Sequence, residues 1–475
     1  MVAMRELVGA VGRRPSPGWS DLPSDLLESV LVRLPVTDRL RFPAVCTAWR
    51  SAAAASAARV QAVDVPSPWL MLPSNQIARG QRRGAGDTLS KARFLSLSEG
   101  RTYDIPQPAP AVSDRLCVGS SPDGWLVTAD AASELHLLNP LTGAQVPLPP
   151  PDTLPFVHAS RDAGGRVVSY SLRCCFDEDE NGDDDDDAPV VVPPESFELD
   201  RLRYELYDKA ILVSAPRERQ TGSWGGYAVM LICQPLSRLA IARAGDTRWT
   251  LLDTPSRRWV DAVRASSAAG GRQLVYAMDS AGRVDALDVD VTADATPTRE
   301  AVVPAACFCC SVRACSMSGT CSRYLVELSP GRLLQVHRLR AAAHARYRCE
   351  PRPERVEYTT VDAELFEWTT DGGRWTPVDG KDGGVLAGRA LFLGKNASLC
   401  VAVDGCCRSE LKGNCVYFTD DGPWSHDRCR EVAPDVGVLD LADGSYTPPR
   451  AAARDLLWKW PPPVWVFPSC VRRLN

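Results

Sequence analysis

What the chain lacks narrows its chemistry first. Its 475 residues include only five histidines, at 136, 158, 337, 344 and 426, and none falls in an H-E-x-x-H arrangement. G-x-S-x-G, G-x-x-x-x-G-K-[ST] and G-x-G-x-x-G are missing as well. That removes the local signatures of a nucleophile elbow, a phosphate-cradling loop and a dinucleotide fold. No stretch approaches the ~18 consecutive apolar residues that a membrane helix needs. No apolar secretory segment precedes the first helical pattern, so the 17 irregularly spaced cysteines are read as reduced and intracellular. A strong charge of one sign is also missing. The net charge is −5, and the run Asp177 to Asp187 (DEDENGDDDDD) holds nine acidic residues, which leaves the remainder at +4. A near-neutral folded part offers no clustered basic surface for nucleic acid or an acidic membrane.

What is present begins with a compact helical pattern from Trp19 to Ala55. In WSDLPSDLLESVLVRLP, the residues Leu22, Leu26, Leu27, Val30, Leu31 and Leu34 recur at three- and four-residue steps, which put apolar side chains on one helical stripe. Pro23 is tolerated in a first helical turn, where its missing N–H would have no partner anyway. Pro35 ends this helix. Thr37 and Asp38 are expected to cap a short second helix carrying Leu40 and Phe42, and Ala44 to Ala55 is expected to form a third with Val45, Ala48 and Trp49 along one side. A unit of about 40 residues cannot enclose all these apolar groups, so it is expected to expose a strip of Leu26, Val30 and Leu34 and to dock on something.

LPSDLLESVLVRLP followed by DRLRFPAVCTAWRSAAAAS resembles the F-box motif, with its Leu-Pro opening, its Leu-Pro between helices and its Val-Cys-x-x-Trp-Arg ending. The resemblance implies binding to the Skp-type adaptor of an SCF ubiquitin ligase. The positions that carry it over are Leu22, Pro23, Leu26, Leu27, Val30, Leu34, Leu40, Val45, Cys46 and Trp49. Pro43 departs from the pattern, since relatives usually have a polar or basic residue there, and a proline is expected to open the third helix.

Beyond Pro73 the texture changes to short runs of Val, Leu, Tyr and Trp separated by Gly, Pro, Asn and Asp turns. Examples are 93–106, 123–149, 226–235, 239–263, 273–290, 322–339, 364–378 and 415–449. Regular strands with turn signals indicate an all-β fold. Some four hundred residues of meandering strands exceed one sandwich or small barrel, whereas radial blades absorb them with short exposed edges. A mainly β chain is therefore expected, with a six- or seven-bladed β-propeller behind a small three-helix F-box. The segments LFEWTTDGGRWTPV, GRALFLGKNASLCVAV, LKGNCVYFTDD, GVLDLADGSYTPP and PPPVWVFPS resemble, in that order, the propeller of the KIB-type plant F-box proteins, a group expanded in grasses. The expected organisation is a disordered leader at 1–18, the F-box at 19–58, a linker at 59–67 and the propeller at 68–475, with an acidic disordered insert at 177–187. Trp69–Leu72 and Val464–Phe467, both apolar and bounded by prolines, are expected to meet in one terminal blade or its immediate neighbour, because an open ring leaves unpaired strand edges.

The cysteines at 307, 309, 310, 315 and 321, and the looser set Cys406, Cys407, Cys415, His426 and Cys429, are read as small buried strand residues and not as zinc ligands. The acidic run, lacking ligand spacing, is read as a solvated loop and not as a calcium site. No cofactor, metal or catalytic residue is called for. The expected function is that of a non-catalytic substrate receptor in the cytoplasm and/or nucleus. The adaptor, and through it a cullin, would bind the F-box, and an unidentified target protein would bind the propeller. The alternatives are a propeller enzyme or small-ligand binder, whose mark would be polar and titratable residues converging in the central channel, or a non-ligase F-box scaffold.

Overall fold

The computed structural model describes residues 18–56, 68–73, 90–107, 111–173, 194–219, 221–252, 257–269, 272–291, 296–304, 320–342, 358–369, 373–378, 380, 384–403, 411–421, 435–447 and 461–468. The leader up to residue 17, the linker, the acidic insert, the cysteines at 307–315, 406, 407 and 429, and His426 lie outside these residues. Two compact units divide at Asp64/Val65.

Among its described residues the first unit has three α-helices, α1 (Ser24–Arg33), α2 (Val36–Arg41) and α3 (Thr47–Ala55). Leu27, Leu31, Phe42 and Ala52 form its small core. Proline at N-cap starts both α1 and α2 (Pro23 and Pro35), so Thr37 and Asp38 lie inside the first turn of α2 instead of capping it. The third helix starts later than the pattern suggested. Phe42–Ala44 forms a 3-10 turn containing Pro43, and Cys46 in extended conformation is the N-cap of α3. Pro43 is accommodated because the turn places it where no helical N–H is required. Arg39 ties α2 back to α1, donating to the carbonyls of Leu34 (2.8 Å) and Val32 (3.0 Å), which the helix end would otherwise leave open.

The second unit is built from sheets. Among the described residues there are seven of three to five strands, together with a two-stranded ribbon, Arg217–Glu218 with Trp224–Gly225. The first sheet runs in the order Arg101–Gln107, Ser90–Ser96, Trp69–Leu72, Val464–Val466. The second consists of Leu116–Ser120, Leu126–Ala129, Leu135–Leu138 and Gln145–Pro147, and the third of Val157–Arg161, Val167–Leu172 and Glu195–Glu198. The fourth holds Tyr207–Ser214, Ala228–Cys233, Arg238–Arg243 and Thr250–Leu251; the fifth, Trp259–Ala269, Arg272–Asp279, Val284–Asp290 and Thr298–Val303. The sixth holds Thr320–Ser329, Arg332–Ala342, Tyr358–Thr369 and Arg374–Val378. The seventh runs Leu399–Ala402, Arg389–Leu393, Cys415–Phe418, Gly437–Asp440, Tyr446–Thr447, with one parallel pairing, Ala390 to Cys415. This is the meander of a β-propeller, and apolar clusters fill the spaces between successive sheets.

The innermost strands follow one another around a ring: Val464–Val466, Leu116–Ser120, Tyr207–Ser214, Trp259–Ala269, Thr320–Ser329 and Leu399–Ala402. The cluster of Leu70, Phe392, Val401, Tyr417 and Trp465 joins the last to the first. Among the described residues six inner strands follow one another, whereas the sheets of three to five strands number seven. The difference is the third sheet, which packs on the apolar faces of the second and fourth through Phe156, Tyr170 and Phe197 while those two sheets touch directly at the centre. A Cβ on Gly119 would stand 2.1 Å from the carbonyl oxygen of Ala210, so glycine is needed for this close approach. The expected meeting of the chain's two apolar segments is observed, with Trp69 opposite Val466, Leu70 opposite Trp465 and Met71 opposite Val464.

Candidate functional site

In the helical unit the apolar stripe of α1 splits. Leu27 and Leu31 turn inward, and Leu27, at 1 % exposure, is part of the unit's own core. Leu26 (49 %) and Val30 (38 %), one turn apart, face outward, as do Pro23 and Val45 (57 %). Leu22 and Leu34 are half-buried against the core, and Cys46 is half-buried at the start of α3. Trp49 is half-buried, its ring 4.3 Å from that of Phe42 and its indole N–H donating to the carbonyl of Trp19 at 2.9 Å. For Leu40 only the backbone, within α2, is described. Trp19 itself is 77 % exposed, a large apolar side chain that the motif reading passed over because it precedes the Leu-Pro opening. The unit therefore presents four large apolar side chains to solvent, Trp19, Leu26, Val30 and Val45.

In the propeller unit, polar and titratable groups converge where the inner strands begin. Regular strands point consecutive side chains to opposite faces, but bulges interrupt three of these strands near their starts, between Cys117 and Gly119, Tyr207 and Lys209, and Trp259 and Asp261. The bulge lets the consecutive residues Asp208 and Lys209 line the same cavity, as it does Trp259 and Val260. That cavity, about 250 Å³, is completed by Gln234, Ser237, Arg323, Tyr324, Gly394, Lys395 and Asp421. A second one of about 220 Å³ shares Asp208, Gln234 and Lys395 with it and adds residues 116–118, Tyr204, Glu205 and Tyr207.

Beneath the cavities a buried ion pair joins four sheets. The Lys209 ammonium lies 2.7 Å from Asp261 Oδ1 and donates to the Gly394 carbonyl at 3.1 Å. Asp261 Oδ2 accepts from the Leu325 N–H and the Ser398 hydroxyl, each at 2.9 Å. Such a pair needs these extra hydrogen bonds to recover its desolvation cost. On the other side Arg338, fully buried, donates to Asp435 Oδ2 at 2.6 Å and to the Thr419 carbonyl at 2.9 Å. Asp208 Oδ2 accepts from Gln234 Nε2 (2.7 Å) and from the Ser237 hydroxyl (3.2 Å), and Lys395 donates to the Asp208 carbonyl. Burial raises the Asp208 carboxyl and lowers the Lys395 ammonium, while each opposes the shift of the other by its charge.

Elsewhere, Asp130, Glu134 and His136 bring potential ligand atoms within 4.8 Å of one another. Asp130 Oδ1 is occupied by the Ala132 and Glu134 N–H groups at 2.9 and 3.0 Å, the bonds of an ordinary strand-connecting turn. Cys117, Cys233 and Cys415 are buried strand residues outside any disulfide, and Cys321 is a half-buried strand residue. Burial pushes the Cys117 thiol up to about 12, so it is an inert packing group. Among the described residues no helix is long and apolar enough to cross a membrane.

Comparison with known proteins gives a family model for the KIB1-4 beta-propeller matching residues 94–440 and an F-box domain model matching residues 19–56. The F-box/kelch-repeat protein At1g57790 of Arabidopsis thaliana is 33 % identical over 132 residues, covering 28 % of this chain and 32 % of that protein. The putative F-box protein At4g22180 of the same plant is 29 % identical over 132 residues, 28 % of this chain and 29 % of its own length. The chain thus spans about a third of the length of these curated relatives. The Nup133 β-propeller domain of Vanderwaltozyma polyspora is similar at 7 % identity and a TM-score of 0.27, covering 60 % of this chain and 70 % of that one, too weak a likeness to add to the family match.

Proposed function

The chain belongs to the KIB1-4 β-propeller family and carries an F-box domain, and from that premise we propose that it is the substrate receptor of an SCF-type ubiquitin ligase. The helical unit docks on a Skp-type adaptor, and through it on a cullin, while the propeller holds a target protein. The receptor contributes proximity: a target lysine held near a charged conjugating enzyme reacts at a high effective concentration without catalytic groups from the receptor itself. This reading places the protein in the cytoplasm and/or nucleus.

The observation that supports it most directly is the outward pair Leu26 and Val30 on α1. Among the described residues neither belongs to the unit's core, whereas Leu27 and Leu31, one position further on, supply that core. Of the nine motif positions whose side chains are described, Leu26, Val30, Val45 and Pro23 are exposed and available to a partner, and Leu27 acts by holding the helix in place. Trp19 is added to the docking face on the same ground of exposure.

Replacing both Leu26 and Val30 with Asp should weaken capture of purified Skp-type adaptor by at least about thirtyfold, since two buried apolar anchors are lost at once. Thermal melting of the propeller should not move. A double variant that binds adaptor as well as the parent does would overturn the docking assignment.

A further inference from the structure

Beyond the ligase reading, and independently of it, we propose that the axial cavity of the propeller binds a small zwitterion of α-amino-acid size, its anionic end on Lys395 and its cationic end on Asp208. Three observations lead there. The first is charge balance. The two adjoining cavities are lined by three carboxylates, Glu205, Asp208 and Asp421, and three cations, Lys209, Arg323 and Lys395; Lys209 is already paired with Asp261 and Asp421 with Arg338 and Arg340, so the wall common to both cavities offers one charge of each sign, Asp208 and Lys395. A ligand with a net charge would leave that charge uncompensated in a partly desolvated place, whereas a dipolar one adds none.

The second is unused bonding capacity on the shared wall. An ammonium has three N–H donors, and among the described residues Lys395 makes one hydrogen bond, to the main-chain carbonyl of Asp208, while the charges of Asp208, Asp421 and Asp420 act on it through space. Among the described residues both hydrogen bonds to the Asp208 carboxylate fall on Oδ2, which leaves Oδ1 for a donor. By contrast Lys209 is committed to Asp261 and Gly394. The open donor and the open acceptor thus belong to residues of opposite charge that line both cavities. Charge-assisted hydrogen bonds, the stronger kind, are what such a pair offers.

The third is size. At about 220 and 250 Å³ the cavities fall below the ~300–1,000 Å³ of pockets for drug-sized ligands, which suits a molecule of amino-acid dimensions. The bulge at Asp208 matters here, since it turns that carboxylate onto the wall where the seventh sheet delivers Lys395.

The purified full-length chain is to be followed by thermal unfolding at neutral pH with each of the common L-α-amino acids at millimolar concentration, and with the N-acetylated and C-amidated form of each. The expected result is that at least one free amino acid raises the melting midpoint in a saturable way, while its two blocked forms, each lacking one charge, do not. Asp208→Asn and Lys395→Met should each raise the half-saturating concentration about tenfold or more, and Arg166→Ala, in an exposed ion pair remote from the wall, should leave it unchanged. If either cavity variant fails to fold by circular dichroism, the blocked derivatives still decide the matter on the parent protein. No shift with any free amino acid, equal shifts with a blocked form, or full shifts in folded Asp208→Asn and Lys395→Met would each overturn the proposal.

Discussion

His337 shows what burial does to a single titratable group. It is 1 % exposed, with Nε2 3.2 Å from Gln335 Oε1 and its ring 4.9 Å from that of Phe366. Burial first, and then the nearby Arg323 charge, push its pKa down to about 4 from an ordinary value of 6.5. The folded protein therefore holds it neutral while the unfolded chain takes up a proton below pH 6.5, so unfolding gains protons as the pH falls. The stability tied to this residue is fully present above pH 6.5 and is lost progressively toward pH 4. A shift of that size is worth on the order of 3 kcal/mol at its full extent. Urea denaturation between pH 7.5 and 4.5 should show a steeper loss of stability in the parent than in His337→Gln. Parallel pH profiles for the two would show that His337 is not held neutral by the fold. None of this is visible in the sequence, where His337 is one of five scattered histidines. The same holds for Asp208, Asp261 and Lys395, which share no motif and come together because two lie near the starts of inner strands and Lys395 lies in the turn between Arg389–Leu393 and Leu399–Ala402.

At the level of elements, legibility follows pattern strength. The helical unit was readable because its apolar residues repeat at helical steps, yet periodicity could not say which side of the stripe turns inward, and so Leu27 and Leu26 looked equivalent. The start of α3 was misplaced because a 3-10 turn around Pro43 has no distinct sequence signal. Most strands of the propeller stood out as apolar runs between turn residues, whereas the third sheet did not. Val157–Arg161 and Glu195–Glu198 are largely exposed and polar, and only one face of this sheet packs on its neighbours. That outlying position has a consequence for the strands it leaves in contact. With the third sheet outside the inner ring, Leu116–Ser120 and Tyr207–Ser214 approach closely at Gly119 and Ala210. Gly119→Val should lower the free energy of unfolding by about 1–3 kcal/mol, the usual cost of overpacking a tight contact. The urea midpoint checks this, and an unchanged midpoint would mean that the two inner strands can separate freely.

For the propeller unit as a whole, stability depends on closing the ring between chain segments almost four hundred residues apart. Trp69–Leu72 cannot complete its sheet alone; the final strand, Val464–Val466, pairs with it and becomes the innermost strand of the first sheet. From there it reaches its neighbours on both sides. The Trp465 carbonyl accepts from the Ser120 hydroxyl of the second sheet at 2.7 Å, and the Trp465 ring meets Phe392 of the seventh edge-on at 5.1 Å. Val464, Trp465, Val466 and Phe467 are all buried, so their removal would uncover the faces of three sheets together and leave Trp69–Leu72 with an open edge. Each large apolar group lost from a packed core costs several kcal/mol, against a total stability of about 5–15 kcal/mol for a typical domain. Deleting residues 461–475 should therefore yield a propeller that is insoluble or unfolds over a broad, uncooperative transition. A chain ending at Trp460 that remained soluble and melted with undiminished cooperativity would show that the ring does not need its last strand to close.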